Sequence, residues 1–360
     1  MRDNWKFDSE AYGRFLQFMR IVSPSMEETG MAKFLNKKWK SYGAKVSTDV
    51  MGNIHAVINP QAPIHIGLMA HMDTVAIQIT NICSNGMIQF RSIGLRPHTL
   101  LGQSVQILTS KGLIDGVIGF DPTSQFGQPK GLIEEDLWLD IGARNCQEAL
   151  NKVSVGDLAV LTPRCVCLEG DCICGTGIDD RIGLFIITEC LNCISGKHSN
   201  VCLHLIGTTQ EEVGLRGAAV IAGQYPLNIC FILDVDYATD TFTPHENQMG
   251  VLHLGKGAGL HIKADNNPIL RKLAYETAVH NNISCQKSVG RFIYGGTDAS
   301  SVQLQNKGIA TLNLNIPCRY MHSPVEICNK RDVESAIGIL TECIEHISLS
   351  GKNSFIPILD

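Results

Sequence analysis

Gly177-Ile-Asp179-Asp180-Arg181-Ile-Gly183, read with Thr209-Gln-Glu211-Glu212-Val-Gly-Leu-Arg-Gly217, is the stretch that organises this chain. From Asp179 to about Ile194 the residues are apolar on most sides, which predicts a buried helix. Val201 to Ile206 is an apolar run of strand length leading to the glutamate pair. Asp179 thus opens a helix, and Glu211 with Glu212 closes a strand. Carboxylates placed at element ends beside glycines suit a cation site better than a solvated surface.

The same placement recurs outward from this stretch. Pro63 to His71 is a mostly apolar run that predicts a central strand buried on both faces. It delivers His71 and Asp73 at its carboxyl end, the edge where open α/β sheets bind ligands. Asn228 to Asp234 is a second apolar strand ending in a carboxylate, and Ile309 to Pro317 is a strand leading to Arg319-Tyr-Met-His322. Helices are predicted over residues 8 to 20, through Met31, Phe34, Leu35 and Trp39, and over Leu215 to Gly223, Pro268 to Asn281 and Asp332 to Ser348. Val46 to Val50 and Ile54 to Ile58 read as strands about a Met51-Gly-Asn turn.

Between about residues 76 and 165 the pattern changes to short strands separated by glycines, including Val105 to Leu108, Gly116 to Gly119 and Asp157 to Leu161. This predicts a small β-barrel, residues 76–165, inserted into a mixed-sheet α/β domain made of residues 1–75 and 166–360. Asp121 to Pro129 reads as a mobile loop.

Composition narrows the function classes. With 44% hydrophobic and 18% charged residues the chain is not disordered, and a net charge of -5 argues against nucleic acid as a partner. Met1 to Arg14 has no apolar leader pattern, and Ile182 to Leu191 is too short to span a bilayer. No membrane partner and a cytoplasmic location are therefore expected, with the fourteen cysteines reduced.

Collected together, the polar residues at element ends are His71, Asp73, Asp179, Glu211, Glu212, Asp234 and His322. Two imidazoles with several carboxylates suit zinc, cobalt or manganese. So many carboxylates can hold two divalent ions with one carboxylate shared between them. Any one of these residues alone would be an ordinary loop or capping group. Several buried strands all ending in metal-type ligands would be an unusual coincidence.

The ordered motifs Ala70-His-Met-Asp73, Asp136-Leu-Trp-Leu-Asp-Ile-Gly-Ala143, Ile178-Asp-Asp-Arg-Ile-Gly183, Thr209 to Ala218, Leu233-Asp-Val235, Gly296-Thr-Asp298 and Pro317 to Pro324 resemble the M42 metallo-aminopeptidases over nearly the whole chain. The resemblance implies a zinc-peptidase-like α/β domain with an inserted barrel, and an exopeptidase that removes N-terminal residues from oligopeptides. It implies Asp179 as the carboxylate shared by two ions, His71 and Asp234 completing one site, and Glu212 and His322 the other. Glu211 matches the general base acting on a metal-bridging hydroxide, and Asp73 the acid that orients His71. A hollow homo-oligomer, with a dodecamer as its suggested form, is implied on the same ground alone.

Thr74-Val-Ala76 departs from the family, which continues with Glu, Val or Ile, then Gly. Thr-Val after His-x-Asp resembles the M20 peptidases, so an M20-like deacylase or dipeptidase is the competing enzyme, and a non-catalytic metal-binding homologue the competing non-enzyme. Cys165-Val-Cys167-Leu-Glu-Gly-Asp-Cys172-Ile-Cys174 reads as a hairpin about a Glu-Gly-Asp turn, with a thiolate site or redox switch as its rival. Gly295 to Asp298 reads as a turn lining the substrate site, Asp240 as a supporting carboxylate, and His65, His98, His204 and His253 as surface or satisfied core residues.

Overall fold

Seventeen strands are found among the described residues. They are β1 (Lys45–Thr48), β2 (Ile54–Ile58), β3 (Ile64–His71), β4 (Ala76–Ile82), β5 (Ile88–Ile93), β6 (Ser104–Thr109), β7 (Gly112–Phe120), β8 (Leu137–Asp140), β9 (Leu158–Leu161), β10 (Cys165–Cys167), β11 (Cys172–Gly175), β12 (Val201–Thr208), β13 (Ile229–Tyr237), β14 (Ala258–His261), β15 (Cys285–Ser288), β16 (Ala310–Cys318) and β17 (Glu326–Asn329). The computed structural model describes residues 5–120, 132–194, 200–242, 246–351 and 355–356, so the loop expected at Asp121 to Pro129 lies outside them.

Eight strands form one mixed sheet in the order β1-β2-β12-β3-β13-β16-β14-β15. The central neighbours β12, β3, β13 and β16 are all parallel, and antiparallel pairing enters at β2 and β14. Alternation along each strand feeds two cores. Leu68, Leu205, Phe231 and Leu314 face the helix Ile178–Ile194, whereas Met69, Ile206, Cys230 and Ile232 face the short helices Arg216–Ala222 and Ala299–Val302. Burial on both faces is why these strands read as apolar runs without alternation.

The helix Ile178–Ile194 is pinned by Phe185, whose ring meets Phe15, Phe7 and Phe18 at centroid distances of 5.3, 5.5 and 5.7 Å. Truncating Phe185 would cost about 3–5 kcal/mol by lost burial and cavity formation. It would also loosen the element that begins at Asp179.

Six strands close a barrel in the order β4-β5-β8-β7-β6-β9, around Ile79, Ile88, Val105, Ile107, Ile118 and Leu139. β7 is longer than its glycines suggest, because Lys111 and its neighbour form a tight turn that brings Thr109 opposite Gly112. The cysteine-rich segment is a hairpin, with Gly170 and Asp171 at φ +70° and +62° in its turn. Val166 opposes Cys174 and Cys167 opposes Ile173, so Cys165 and Cys167 lie on one face and Cys172 and Cys174 on the other. The four thiols do not converge, and a four-thiolate site is excluded. No described helix is long and apolar enough to cross a membrane.

Candidate metal centre

β3 and β13 pair only as far as Met69 and Ile232, whereas β13 and β16 stay paired to Tyr237 and Cys318. The two parallel strands therefore part at their carboxyl ends. His71 is the last residue of β3, and Asp234 lies just past the parting point inside β13 rather than at its end.

The Asp179-Asp180 pair divides its labour. Both residues are non-helical, at φ/ψ of -69°/109° and -117°/42°, and the peptide bond between them is cis. Asp180 Oδ1 accepts the Gly183 N–H at 2.9 Å, capping the first regular turn. Its Oδ2 accepts the His71 N–H at 3.3 Å. The expected helix thus starts regularly only after Asp180, which leaves both Asp179 oxygens free for the crevice.

Asp179 Oδ1 lies 2.9 Å from His71 Nε2, and its Oδ2 lies 3.3 Å from His322 Nε2. His322 Nε2 is also 3.2 Å from Glu212 Oε2, and His71 Nε2 is 4.0 Å from Asp234 Oδ1. Donor atoms of His71, Asp179 and Glu212 fall within 4.8 Å of one another, as do those of His71, Asp180 and Asp234. The fold thus brings His71, Asp179, Glu212, Asp234 and His322 together from five separate segments. Glu211 lines the same cavity, of about 360 Å³, with Asp179, Glu212, Asp234 and His322. Lys263, Arg291, Gly295 and Gly296 also line it.

Supporting contacts hold these groups in place. His71 Nδ1 donates to the Asp73 backbone carbonyl at 2.9 Å, with the Asp73 carboxylate at 3.4 Å. That carboxylate is fully buried and accepts from Ser25 Oγ at 2.7 Å and from the N–H groups of Glu211 and Glu212 at 3.1 and 3.2 Å. Asp73 therefore sets the backbone of the glutamate pair as well as facing the imidazole. Glu326 accepts the N–H groups of Asp179 and His322 at 3.2 and 2.9 Å. Asp240 pairs with Arg319 at 2.7 Å and braces the start of the loop that carries His322.

Sequence reasoning missed Asp180, Glu326, Ser25 and Glu28, which accepts the Gln210 N–H at 3.0 Å. Asp180 had a signal, a carboxylate three residues before a glycine at a helix start. Glu326 and Glu28 had none, because each acts through a loop whose path the sequence does not state.

The charges do not balance with protein groups alone. Burial pulls the His322 imidazole down, but its contacts with Asp179 and Glu212 push it up to about 12. Burial acts likewise on His71, which Asp179 and Asp73 hold well above its ordinary value. Burial would raise Asp179, yet the two imidazoles keep it below the usual carboxylate range. Glu211, Asp234 and Asp180 are raised well above that range, first by burial and then by the charge of neighbouring carboxylates. Glu212 Oε1 is buried with no hydrogen-bond partner among the described residues. An excess of buried carboxylate around two imidazoles, with one oxygen unpartnered, fits a site built for divalent cations.

Residues 52–339 match the model of the M42 glutamyl aminopeptidase family. The chain belongs to this family. M42 members are exopeptidases, hydrolases that act at the N-terminal end of a peptide. The chain is 30% identical to the lysyl aminopeptidase of Pyrococcus furiosus, over 91% of this chain and 95% of that one. Its fold matches the aminopeptidase APDkam598 of the archaeon Desulfurococcus kamchatkensis with a TM-score of 0.88 at 28% identity, covering 96% of this chain and 99% of that one. It also matches the TET1 peptidase of Pyrococcus horikoshii, which can assemble into a tetrahedron or a large octahedral shell, with a TM-score of 0.83 at 29% identity, covering 92% and 98%.

Proposed function

We propose that this M42 aminopeptidase works with two divalent cations sharing Asp179. His71 and Asp234 complete one site, and Glu212 and His322 the other. The observation that carries this reading is the split of the Asp179 carboxylate, one oxygen toward each histidine. When bound, the cations supply Lewis acidity, polarising the scissile carbonyl and lowering the pKa of water.

The chain's own groups do the rest. Glu211 faces the cavity without being tied to either histidine, so it is free to take a proton from the attacking water. A carboxylate in that place can hold the proton and pass it to the leaving amine. Asp73 holds the Glu211 backbone and the His71 ring in one register. The cavity beside these groups receives the amino-terminal end of an oligopeptide.

We infer further that residues 76–165 form an inserted domain within a catalytic domain of residues 1–75 and 166–360. A homo-oligomer is proposed by likeness to the TET1 peptidase, and sedimentation of the purified chain tests it. The central experiment measures metal content and hydrolysis of an aminoacyl-anilide panel with zinc, cobalt or manganese. Two equivalents of metal bound at this centre, with anilide hydrolysis, support the reading. Hydrolysis of acylated amino acids alone would favour a deacylase instead.

A further inference from the structure

A second group of donor atoms lies on the same sheet, on the face away from the helix Ile178–Ile194. Cys202 and His204 alternate with core residues on β12, and His65 of β3 is the register partner of Cys202. His55 of β2 shares this face and stacks on Tyr225 with ring centroids 3.8 Å apart. His65 and His71 are six steps apart along β3, roughly 20 Å at the rise of a strand. The group is therefore distinct from the centre around Asp179.

Its geometry exceeds what hydrogen bonding can satisfy. His204 Nε2 meets His65 Nδ1 at 2.9 Å and Cys202 Sγ at 3.2 Å, while His204 Nδ1 meets His55 Nε2 at 2.8 Å. Each imidazole nitrogen offers one in-plane lone pair or one N–H. In either tautomer, then, Nε2 serves only one of its two close neighbours. Burial keeps His204 down to about 3 and His65 below its ordinary value, so both rings are neutral and hold lone pairs. The three donor atoms lie within 4.8 Å of one another.

We propose that His65, Cys202 and His204 form an additional metal site for a thiophilic cation of the zinc type. Two imidazoles and a thiolate are the donor set that zinc favours. His55 on the remaining nitrogen of His204 fixes the tautomer that presents Nε2, the arrangement usual for a ligating histidine. Tetrahedral zinc with ordinary bond lengths needs nitrogen donors about 3.3 Å apart, so the rings open by only a few tenths of an ångström. Binding displaces the Cys202 proton to solvent. His65 is only half-buried, which lets water complete the coordination.

Cobalt(II) tests this without relying on activity. The centre at Asp179 offers only nitrogen and oxygen donors, so it gives no thiolate-to-cobalt charge-transfer band. The full chain, stripped of metal and kept reduced, is titrated with cobalt. A near-ultraviolet thiolate band should grow in the parent protein and vanish in Cys202→Ser, which leaves every other cysteine in place. In His65→Gln the band should need about tenfold more cobalt. Aminopeptidase turnover of both variants should be unchanged. His65→Gln alters a half-buried position and keeps the test open if Cys202→Ser does not fold. No band in the parent protein overturns the proposal, as does a band that neither folded variant changes.

Discussion

Glu326 accepts the backbone N–H of His322 at 2.9 Å, so a buried carboxylate four residues downstream fixes the turn that presents this imidazole. The turn needs fixing, because His322 sits at φ +60°, a left-handed conformation unfavourable for a side chain of its size. The other Glu326 oxygen holds Asp179. Glu326→Gln loses one of these two contacts, since an amide nitrogen cannot accept. Affinity for the cation on the Glu212 and His322 side should fall about 10–100-fold. Activity against zinc concentration reads this, and excess metal should restore turnover. An unshifted zinc curve would show that Glu326 only fills space.

Replacing Glu211 by Gln keeps the size and removes the proton acceptor. Turnover should fall about 10²–10⁴-fold, with KM little changed. Metal content by elemental analysis should equal that of the parent. Undiminished turnover would remove Glu211 from the mechanism.

Asp179→Asn and Asp234→Asn should differ in kind. The first weakens both cation sites and the second only one, because only Asp179 meets both histidines. After dialysis against limiting zinc, Asp234→Asn should keep about one equivalent at this centre and Asp179→Asn clearly less. Equal retention by the two variants contradicts a shared Asp179.

Chelation should abolish hydrolysis and lower the unfolding temperature, because cations that bind only the folded chain stabilise it by mass action. At a free concentration a hundredfold above Kd this is about 2.7 kcal/mol for one site. Re-addition of zinc, cobalt or manganese should restore both properties. A chelated protein with unaltered melting would mean that the carboxylates balance themselves.

The histidine row predicts acid sensitivity in the metal-free chain. Burial lowers His55 to about 4 and His204 to about 3 from 6.5. In the unfolded chain both take protons below pH 6.5, while in the folded chain they stay neutral. Their contribution is therefore complete above pH 6.5 and is lost as pH falls from 6.5 toward 4. Melting temperatures of the parent and of His55→Gln across this window give the comparison. The parent should lose more on acidification, and parallel curves would contradict the burial argument.

Much of this could be read from residue order. β3, β12, β13 and β16 are doubly buried, so their apolar runs stand out, and a His or Asp at the end of such a run has few structural excuses. The barrel was visible as a change of rhythm, with glycines at short intervals. What stayed hidden depends on dihedral angles and loop paths. Asp179 and Asp180 look equivalent on paper, and only the backbone at that point makes one a helix cap and the other a crevice ligand. The row of His55, His65 and His204 was invisible because strand neighbours are set by pairing, and β2, β3 and β12 are far apart in the chain.

The order of the ligands along the chain has a consequence for biosynthesis. His71 is made early, but β13 and β16 must both join the sheet before Asp234 and His322 reach Asp179. A peptide-cutting enzyme is hazardous while it is still being translated, since its own emerging neighbours are potential prey. With the proposed cutting groups scattered this widely, a partly synthesised chain should be inert until the late strand β16 and the loop after it have docked.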